Sequence, residues 1–566
     1  MVPTMGDPSA AYTILRMSSF YERMFYTFHR FGIQSNILVS ARYTCGDDRP
    51  LSKWAVYNAL ASVIKTHPAL RVVGVQRPSP RPGRHRIFRA VLHKIEFDTC
   101  VEFVADDQGD GVTSATLEEA HNTWDWADDE PGTPWWKLII VGGNHIVFVY
   151  HHFVGDGISG VTFHREFLAA LNTLGPSPDS GTVSPDHVAY SPSTILQYPP
   201  EPTDIATDTP SILRLVWNFL VWWLLRLFFQ KRLLFGDLPR PRPYTRSLVA
   251  HPGDGGRTTT TVATCRIPAA KVRHIILACR EKQTTFTPLL VTMLNLTLST
   301  DFYPSALIGA SRVAFDLRSH LSLSGVADIS PNGIIMNAAA AAVQLHWLPK
   351  YKRDGAVDDQ GLLPCHNEAI WQLARTYKKD MDAGVHGCIR DWMASKLVGP
   401  DLEDFTETSL PMIGHMVSDT YLVSNLGSIA GRQHGVSLRT RATKEGWAID
   451  EMQFSAAATN GHAGSRSFAL NIVGVADGDT IINASFEKGM NGCSSRDVTR
   501  GVAGRVGYTR ASRNTYYGNY GRGMVFPSTS RRSMPDWRHT IPSGDAAQRM
   551  QSMADVEAAF SPPLAA

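Results

Sequence analysis

The chain has 566 residues, 43% of them hydrophobic and 19% charged, with a formal net charge of +3. That length exceeds what a single hydrophobic core organises, so two large lobes with appendages are expected. From Asp497 onward nine arginines face five acidic residues, which leaves the preceding chain near neutral and argues against a nucleic-acid-binding face on the folded part. The seven cysteines, Cys45, Cys100, Cys265, Cys279, Cys365, Cys388 and Cys493, are odd in number and never paired as Cys-x-x-Cys. That usage points to reduced thiols in a cytoplasmic setting and away from a zinc site. No basic region followed by an apolar stretch opens the chain, so no secretory signal is expected.

In chain order, the stretch from Leu51 to His67 places Val56, Leu60, Val63 and Ile64 on one side of a helix. Lys137–Val141 and His145–Tyr150 are apolar, β-branched runs joined by Gly142-Gly143-Asn144, the pattern of a hairpin. The second run leads directly into Tyr150-His151-His152-Phe153-Val154-Gly155-Asp156-Gly157-Ile158-Ser159-Gly160. From Ile158 onward Val161, Phe163, Phe167, Leu168 and Leu171 recur at helical spacing. His152 is therefore expected in a strand-to-helix loop, a place where rigid scaffolds commonly carry chemistry. Gly155-x-Gly157-x-x-Gly160 formally matches a dinucleotide fingerprint, but that motif requires a second strand and an acidic residue about 20 positions on. Here the helix runs out into Leu174-Gly175-Pro176-Ser177-Pro178-Asp179-Ser180-Gly181, a loop composition.

Residues 1–200 form the first expected lobe and 201–255 an apolar, proline-rich connector. Inside the connector, Ile212 to Phe229 reads ILRLVWNFLVWWLLRLFF, followed by Lys231 and Arg232. Arg214, Asn218 and Arg226 disfavour a bilayer span, since a central arginine costs about 2.5–3.5 kcal/mol on insertion scales. Three readings stay open for 211–235: a helix lying in a membrane surface, a cover over an apolar entrance, or a helix buried between the lobes. Residues 256–495 form the second expected lobe, with helices near Ala269–Arg280 and Thr287–Leu298 and a hairpin of Ser467–Val475 and Thr480–Phe486 around Asp477-Gly478-Asp479. Residues 496–566, rich in Gly, Ser, Arg and Tyr, read as a basic, disordered tail.

His-His-x-x-x-Asp-Gly at the end of a strand resembles the signature of the chloramphenicol-acetyltransferase-like superfamily and, within it, the chain is similar to the fungal alcohol acetyltransferase family. Ser19-Phe20-Tyr21-Glu22-Arg23, Pro68-Ala69-Leu70, Pro134-Trp135-Trp136-Lys137, Phe315-Asp316-Leu317-Arg318 and Val423-Ser424-Asn425-Leu426-Gly427 fall in the order that family implies. The resemblance implies an α/β fold of two lobes, each a mixed sheet flanked by helices, with an active-site tunnel between them. It implies an acyl-CoA-dependent O-acyltransferase that uses acetyl-CoA or another acyl-CoA as co-substrate and a hydrophobic alcohol as acceptor, in ester-forming secondary metabolism, with no bound cofactor and no metal.

His152 is then the general base and His151 its structural neighbour. Asp156 invites a triad reading, but the resemblance pairs it with Arg318 instead, in a bidentate contact that holds the loop. Gly157 leaves space beside the substrate, or merely meets the needs of the turn. Ser424 and Asn425 are read either as oxyanion donors at a strand end or as a polar turn with Gly427 at positive φ. The chemistry itself calls for a neutral imidazole, whose ordinary pKa near 6.5 suits proton acceptance at neutral pH. A thioester is already activated, and no Gly-x-Ser-x-Gly elbow is present. Two alternatives remain at this stage: N-acylation of an apolar amine such as a sphingoid base, and a noncatalytic condensation-like scaffold. A monomer is expected, peripheral on the endoplasmic reticulum or lipid droplets if 211–235 binds membrane.

Overall fold

Gly142 and Gly143 turn the histidine hairpin at φ +59° and +75°, a region that side-chain-bearing residues avoid. The strands they join, β7 (Trp136–Val141) and β8 (His145–His151), pair antiparallel from Trp136 opposite Tyr150 to Val141 opposite His145. The computed structural model describes residues 11–47, 49–106, 109–123, 126, 131–174, 185–190, 211–234, 258–318, 333–354, 368–393, 397–409, 419–429, 446–459 and 466–487. The tail read at 496–566 lies outside the described residues, as does most of the 201–255 connector.

Two sheets organise the described chain. The first has five strands in the order β14 (Ala448–Ala456), β2 (Asn36–Thr44), β8, β7 and β6 (Val101–Val104). β8 runs down its middle, and Ile146 to His151 are all buried. The helices α2 (Lys53–Thr66) and α4 (Gly157–Thr173) pack against one another beside this sheet. The second sheet has six strands in the order β10 (Thr260–Ile267), β16 (Thr480–Glu487), β15 (Arg466–Val475), β13 (Asp419–Ile429), β11 (Ile308–Asp316) and β12 (Ala339–Trp347). It is mixed: β13 runs parallel to β11 and β15, and the outer pairs are antiparallel. Smaller sheets join β1 (Tyr12–Met17), β4 (His85–Leu92) and β3 (Val72–Pro78), and β5 (Lys94–Glu96) with β9 (His187–Ala189).

The helices expected near Ala269 and Thr287 are α6 (Ala269–Glu281) and α7 (Phe286–Thr297). α7 is apolar nearly all round, which suits a helix buried from Pro288 to Thr297 against the second sheet. One strand departs from chain order. Residues 448–456 were assigned with the second lobe, yet β14 pairs with β2, Phe454 opposite Val39, and so completes the first sheet. Alternation shows that a strand is half-buried but not which partner it joins.

Burial has a consequence for three histidines packed in these cores. His121 meets the Ser455 hydroxyl at 2.7 Å, His164 the Tyr43 hydroxyl at 2.9 Å, and His346 the Ser311 hydroxyl at 2.7 Å. Desolvation pushes His121 and His346 down to about 3 and His164 to about 4. Their folded values lie below that of the unfolded chain, so the stability they support is present above the ordinary pKa and is lost as pH falls below it. Each such group weakens folding by about 1.4 kcal/mol per pH unit within that window. Far-UV circular dichroism should show acid unfolding beginning below about pH 6, with uptake of at least these three protons; native ellipticity retained down to about pH 4 would contradict it.

Candidate functional site

β8 ends at His151, and the chain then turns so that Asp156 caps α4. The Asp156 carboxylate accepts from the Ser159 backbone N–H at 3.0 Å, and the Ser159 Oγ accepts from the Asp156 N–H at 3.3 Å, a reciprocal capping box. The Tyr150 hydroxyl donates to the Asp156 carbonyl at 2.6 Å. The loop between strand and helix is therefore tied at both ends.

The two histidines have different surroundings. His151 is buried, with ring centroids 4.8 Å from Trp135 and 4.6 Å from His29. Burial, reinforced by the neighbouring His29 and His152, holds it well below its ordinary pKa and hence neutral. Its Nδ1 accepts from the Phe153 N–H at 2.9 Å, so its proton sits on Nε2. His151 is a packing residue whose ring shapes the turn.

His152 is half-buried, and its ring lies flat on Phe25 of α1 (Phe20–Arg30), centroids 3.5 Å apart and planes at 10°. Asn337, just before β12, grips the same residue from the other side. Its Nδ2 donates to the His152 carbonyl at 2.6 Å and to the Phe153 carbonyl at 3.3 Å, while its Oδ1 lies 3.1 Å from His152 Nδ1. Two carbonyls can only accept, so the amide orientation is set, and the oxygen facing Nδ1 requires that Nδ1 carry the proton. When the ring is neutral its lone pair is thus on Nε2, the nitrogen a general base would use. Neither Phe25 nor Asn337 was singled out in the sequence; the one available signal was a polar amide ending the apolar run Ile334-Ile335-Met336.

The structure brings Asp156 and Arg318 together in a bidentate pair, Nη1 to Oδ2 at 3.0 Å and Nη2 to Oδ1 at 2.9 Å, both residues buried. Burial alone would raise the Asp156 carboxyl, but the Arg318 guanidinium and the N–H groups of Ala338 and Ser159 outweigh it and hold the group below the usual carboxylate range. Arg318 also donates to Asp316 Oδ1 at 2.8 Å, to the Ile334 carbonyl at 3.2 Å and to the Met336 carbonyl at 2.6 Å. Ser159 Oγ donates to the same Met336 carbonyl at 2.8 Å, and Ala338 N–H donates to Asp156 Oδ2 at 2.8 Å. Four of these bonds land on the segment that presents Asn337, at the Ile334 and Met336 carbonyls and the Ala338 N–H. The carboxylate does not orient the imidazole directly. It fixes the strap that does.

Gly157 faces protein: a Cβ there would lie 2.8 Å from Leu426 Cδ2 and 3.0 Å from Phe454 Cζ. Ser424 and Asn425 lie inside β13 rather than at its end, because the strand continues to Ile429 past a bulge where Gly427 adopts φ +79°. Alternation puts Ser424 on the face of Leu426, the residue that abuts Gly157. Asn425 turns the other way, donating to Thr287 Oγ1 of α7 at 3.0 Å and accepting from Gly427 N–H at 2.9 Å. Among the described residues no three His, Cys, Asp or Glu side chains converge as a metal set would.

Residues 19–319 match the model of a family described as alcohol acetyltransferase. A probable alcohol acetyltransferase of Aspergillus fumigatus, crmB, is 30% identical over 166 residues, covering 26% of this chain and 35% of that protein. The match thus spans about a third of the length of that curated relative. Among solved structures, a trichothecene 15-O-acetyltransferase from Fusarium sporotrichioides superposes with a TM-score of 0.59 at 12% identity, over 90% of this chain and 98% of that one. The first condensation domain of the CDA synthetase superposes at 0.50 and 12% identity, over 88% and 97%. At those identities the likeness is one of fold, and it agrees with the expected two-lobed architecture of mixed sheets flanked by helices.

The ion pair makes a prediction independent of any reaction. Arg318→Ala should lower unfolding stability by about 3–5 kcal/mol, because it strands a buried carboxylate, and the loss should shrink in the Asp156→Asn background, measured as a double-mutant cycle by denaturant titration. Purely additive losses would mean that the two side chains do not act as a pair.

Proposed function

The chain belongs to the alcohol acetyltransferase family, and on that premise we propose that it transfers an acyl group from an acyl-CoA thioester to the oxygen of a hydrophobic alcohol, with His152 as general base. The observation that carries this reading is the clamp of Asn337 on His152, which leaves the basic lone pair on Nε2. As the alcohol oxygen attacks the thioester carbonyl, its proton moves to Nε2 and a C–O bond forms. The C–S bond then breaks, and the proton passes to the departing CoA sulfur. Asn337 Oδ1 accepts from Nδ1–H throughout and steadies the imidazolium while it exists.

Asp156 is committed to Arg318 and to two backbone N–H groups, so the arrangement is a base held by an amide rather than a Ser-His-Asp type triad. For the oxyanion we favour Ser424, whose strand face adjoins Gly157, over Asn425, whose amide serves Thr287. Acetyl-CoA is the proposed donor, in keeping with the family. A passage between the two sheets would admit donor and acceptor while excluding water that would compete for the acyl group.

The test is release of free CoA thiol by purified protein given acetyl-CoA and a panel of apolar alcohols and amines. His152→Ala should stay folded and lose about 10²–10⁴-fold in turnover; a folded variant with parental turnover would end the proposal, and acylation confined to amines would replace the alcohol as acceptor. Arg318→Lys should fold with sharply reduced turnover, since an ammonium cannot reproduce the fork. Asn337→Asp keeps an acceptor for Nδ1–H, loses the donations to the His152 and Phe153 carbonyls, and adds a negative charge, which raises the imidazole pKa. Because the base works when neutral, the acid limb of its pH–rate profile should move to higher pH; an unmoved limb would mean that residue 337 does not govern the base.

A further inference from the structure

The helix α5 (Ile212–Phe229) does not lie buried between the lobes, one of the three arrangements its sequence allowed. Its apolar side chains are exposed: Leu213 is 84% and Phe228 69% accessible, while Leu225 on the opposite side is 2% accessible. Leu213, Trp217, Leu220, Trp223, Leu227 and Phe228 recur every one, three or four residues, and all the exposed apolar positions fall within an arc of about 160° at 3.6 residues per turn. No polar residue of the helix interrupts that arc. Val221, Trp222 and Phe229 on the other side are half-buried. A helix of a water-soluble surface shows the reverse pattern, with its polar face outward.

The end of the helix is pinned to the second sheet. Leu307 N–H donates to the Arg232 carbonyl at 2.7 Å, Leu234 N–H donates to the Ile308 carbonyl at 2.8 Å, and the Leu234 side chain is buried in the core. By length and composition Ile212–Arg232 could cross a bilayer. The pinning and the buried Leu225 instead give it one side toward protein and one toward its surroundings, which is the geometry of a helix lying on a membrane. Charge identifies what that surface is made of. Residues 211–234 contain Arg214, Arg226, Lys231 and Arg232 and no acidic residue, and Arg214, Lys231 and Arg232 are exposed. Two exposed tryptophans, Trp217 and Trp223, have the amphipathic rings that settle at headgroup level.

We propose that α5 is a monotopic anchor that lays this tryptophan-bearing stripe into the headgroup region of an anionic membrane, with its basic residues on the phosphate headgroups. The proposal is independent of the reaction assigned to His152. It places the second sheet, through Leu234, directly beside lipid, where an apolar acceptor would be concentrated.

The experiment is flotation of the purified full chain with vesicles of phosphatidylcholine alone and of phosphatidylcholine mixed with phosphatidylserine. The parent should float with both and more with the second. Lys231→Gln should bind the anionic vesicles about fivefold more weakly, and a variant with Leu213, Trp217, Trp223 and Phe228 all changed to Gln should stay in the aqueous fraction. Circular dichroism shows that each variant is folded. Three results would overturn the proposal: a parent that floats with neither vesicle; a parent that forms dimers abolished by the same four substitutions without binding lipid, which would make the stripe a contact between copies; and a protein that alkaline carbonate cannot strip from membranes, which would make α5 a span.

Discussion

The buried pair of Asp156 and Arg318 is the constraint on which the rest of the site depends. Its carboxylate caps α4, its guanidinium binds the carbonyls of Ile334 and Met336, and between them these groups set the position of the segment that ends in Asn337. Asn337 in turn sets both the position and the tautomer of His152. A buried ion pair is weak evidence for stability, because desolvating two charges offsets much of their attraction. What it supplies here is register. A fork that must satisfy two carboxylate oxygens and two carbonyls at once tolerates one placement of the strap relative to the helix.

That logic explains why the histidine belongs to one sheet and its partners to elements of the other. His152 follows β8 of the first sheet, Arg318 follows β11 and Asn337 precedes β12 of the second. β14 repeats the arrangement in reverse, since it is drawn from late in the chain to finish the first sheet. Phe454 of that strand and Leu426 of β13 both close on Gly157, so the helix that Asp156 caps touches both sheets at its first residue. A side chain at 157 would push these apart, which is a packing requirement distinct from space for a ligand. His152 is therefore held in this geometry only when both halves are assembled.

Much of this was legible in the sequence, and the rest was not, for identifiable reasons. The hairpin, the loop after it and α4 are written in local signals: two glycines for the turn, apolar alternation for the strands, Asp156 for the cap. The Asp156 to Arg318 contact could be anticipated only through resemblance, because the two residues are 162 positions apart and nothing local links them. Asn337 and Phe25 gave no such opening, since an amide or a phenyl ring carries no linear mark of the residue it will meet. Ser424 and Asn425 could be read as a strand end or as a polar turn because of Gly427, but a bulge within a strand uses a glycine at positive φ as readily as a turn does. In α5 the apolar content was plain, yet which side faced outward depended on Leu225 and Leu234 reaching the protein, a tertiary fact.

The choice of an amide rather than a carboxylate behind the imidazole bears on the proposed reaction. The proton removed from the alcohol must finally reach the CoA sulfur, and a thiolate with a pKa near 8.5 is a stronger base than an imidazole near 6.5. That second transfer is then downhill. A carboxylate against Nδ1–H would raise the imidazole toward the thiolate and reduce this gradient. Serine hydrolases need such a carboxylate because their nucleophile is a poorly acidic hydroxyl and their leaving group is often an amine. A thioester supplies its own activation and a weakly basic leaving group, so a neutral acceptor that fixes the tautomer is sufficient, and the one acidic side chain in the motif is freed to hold the two halves together.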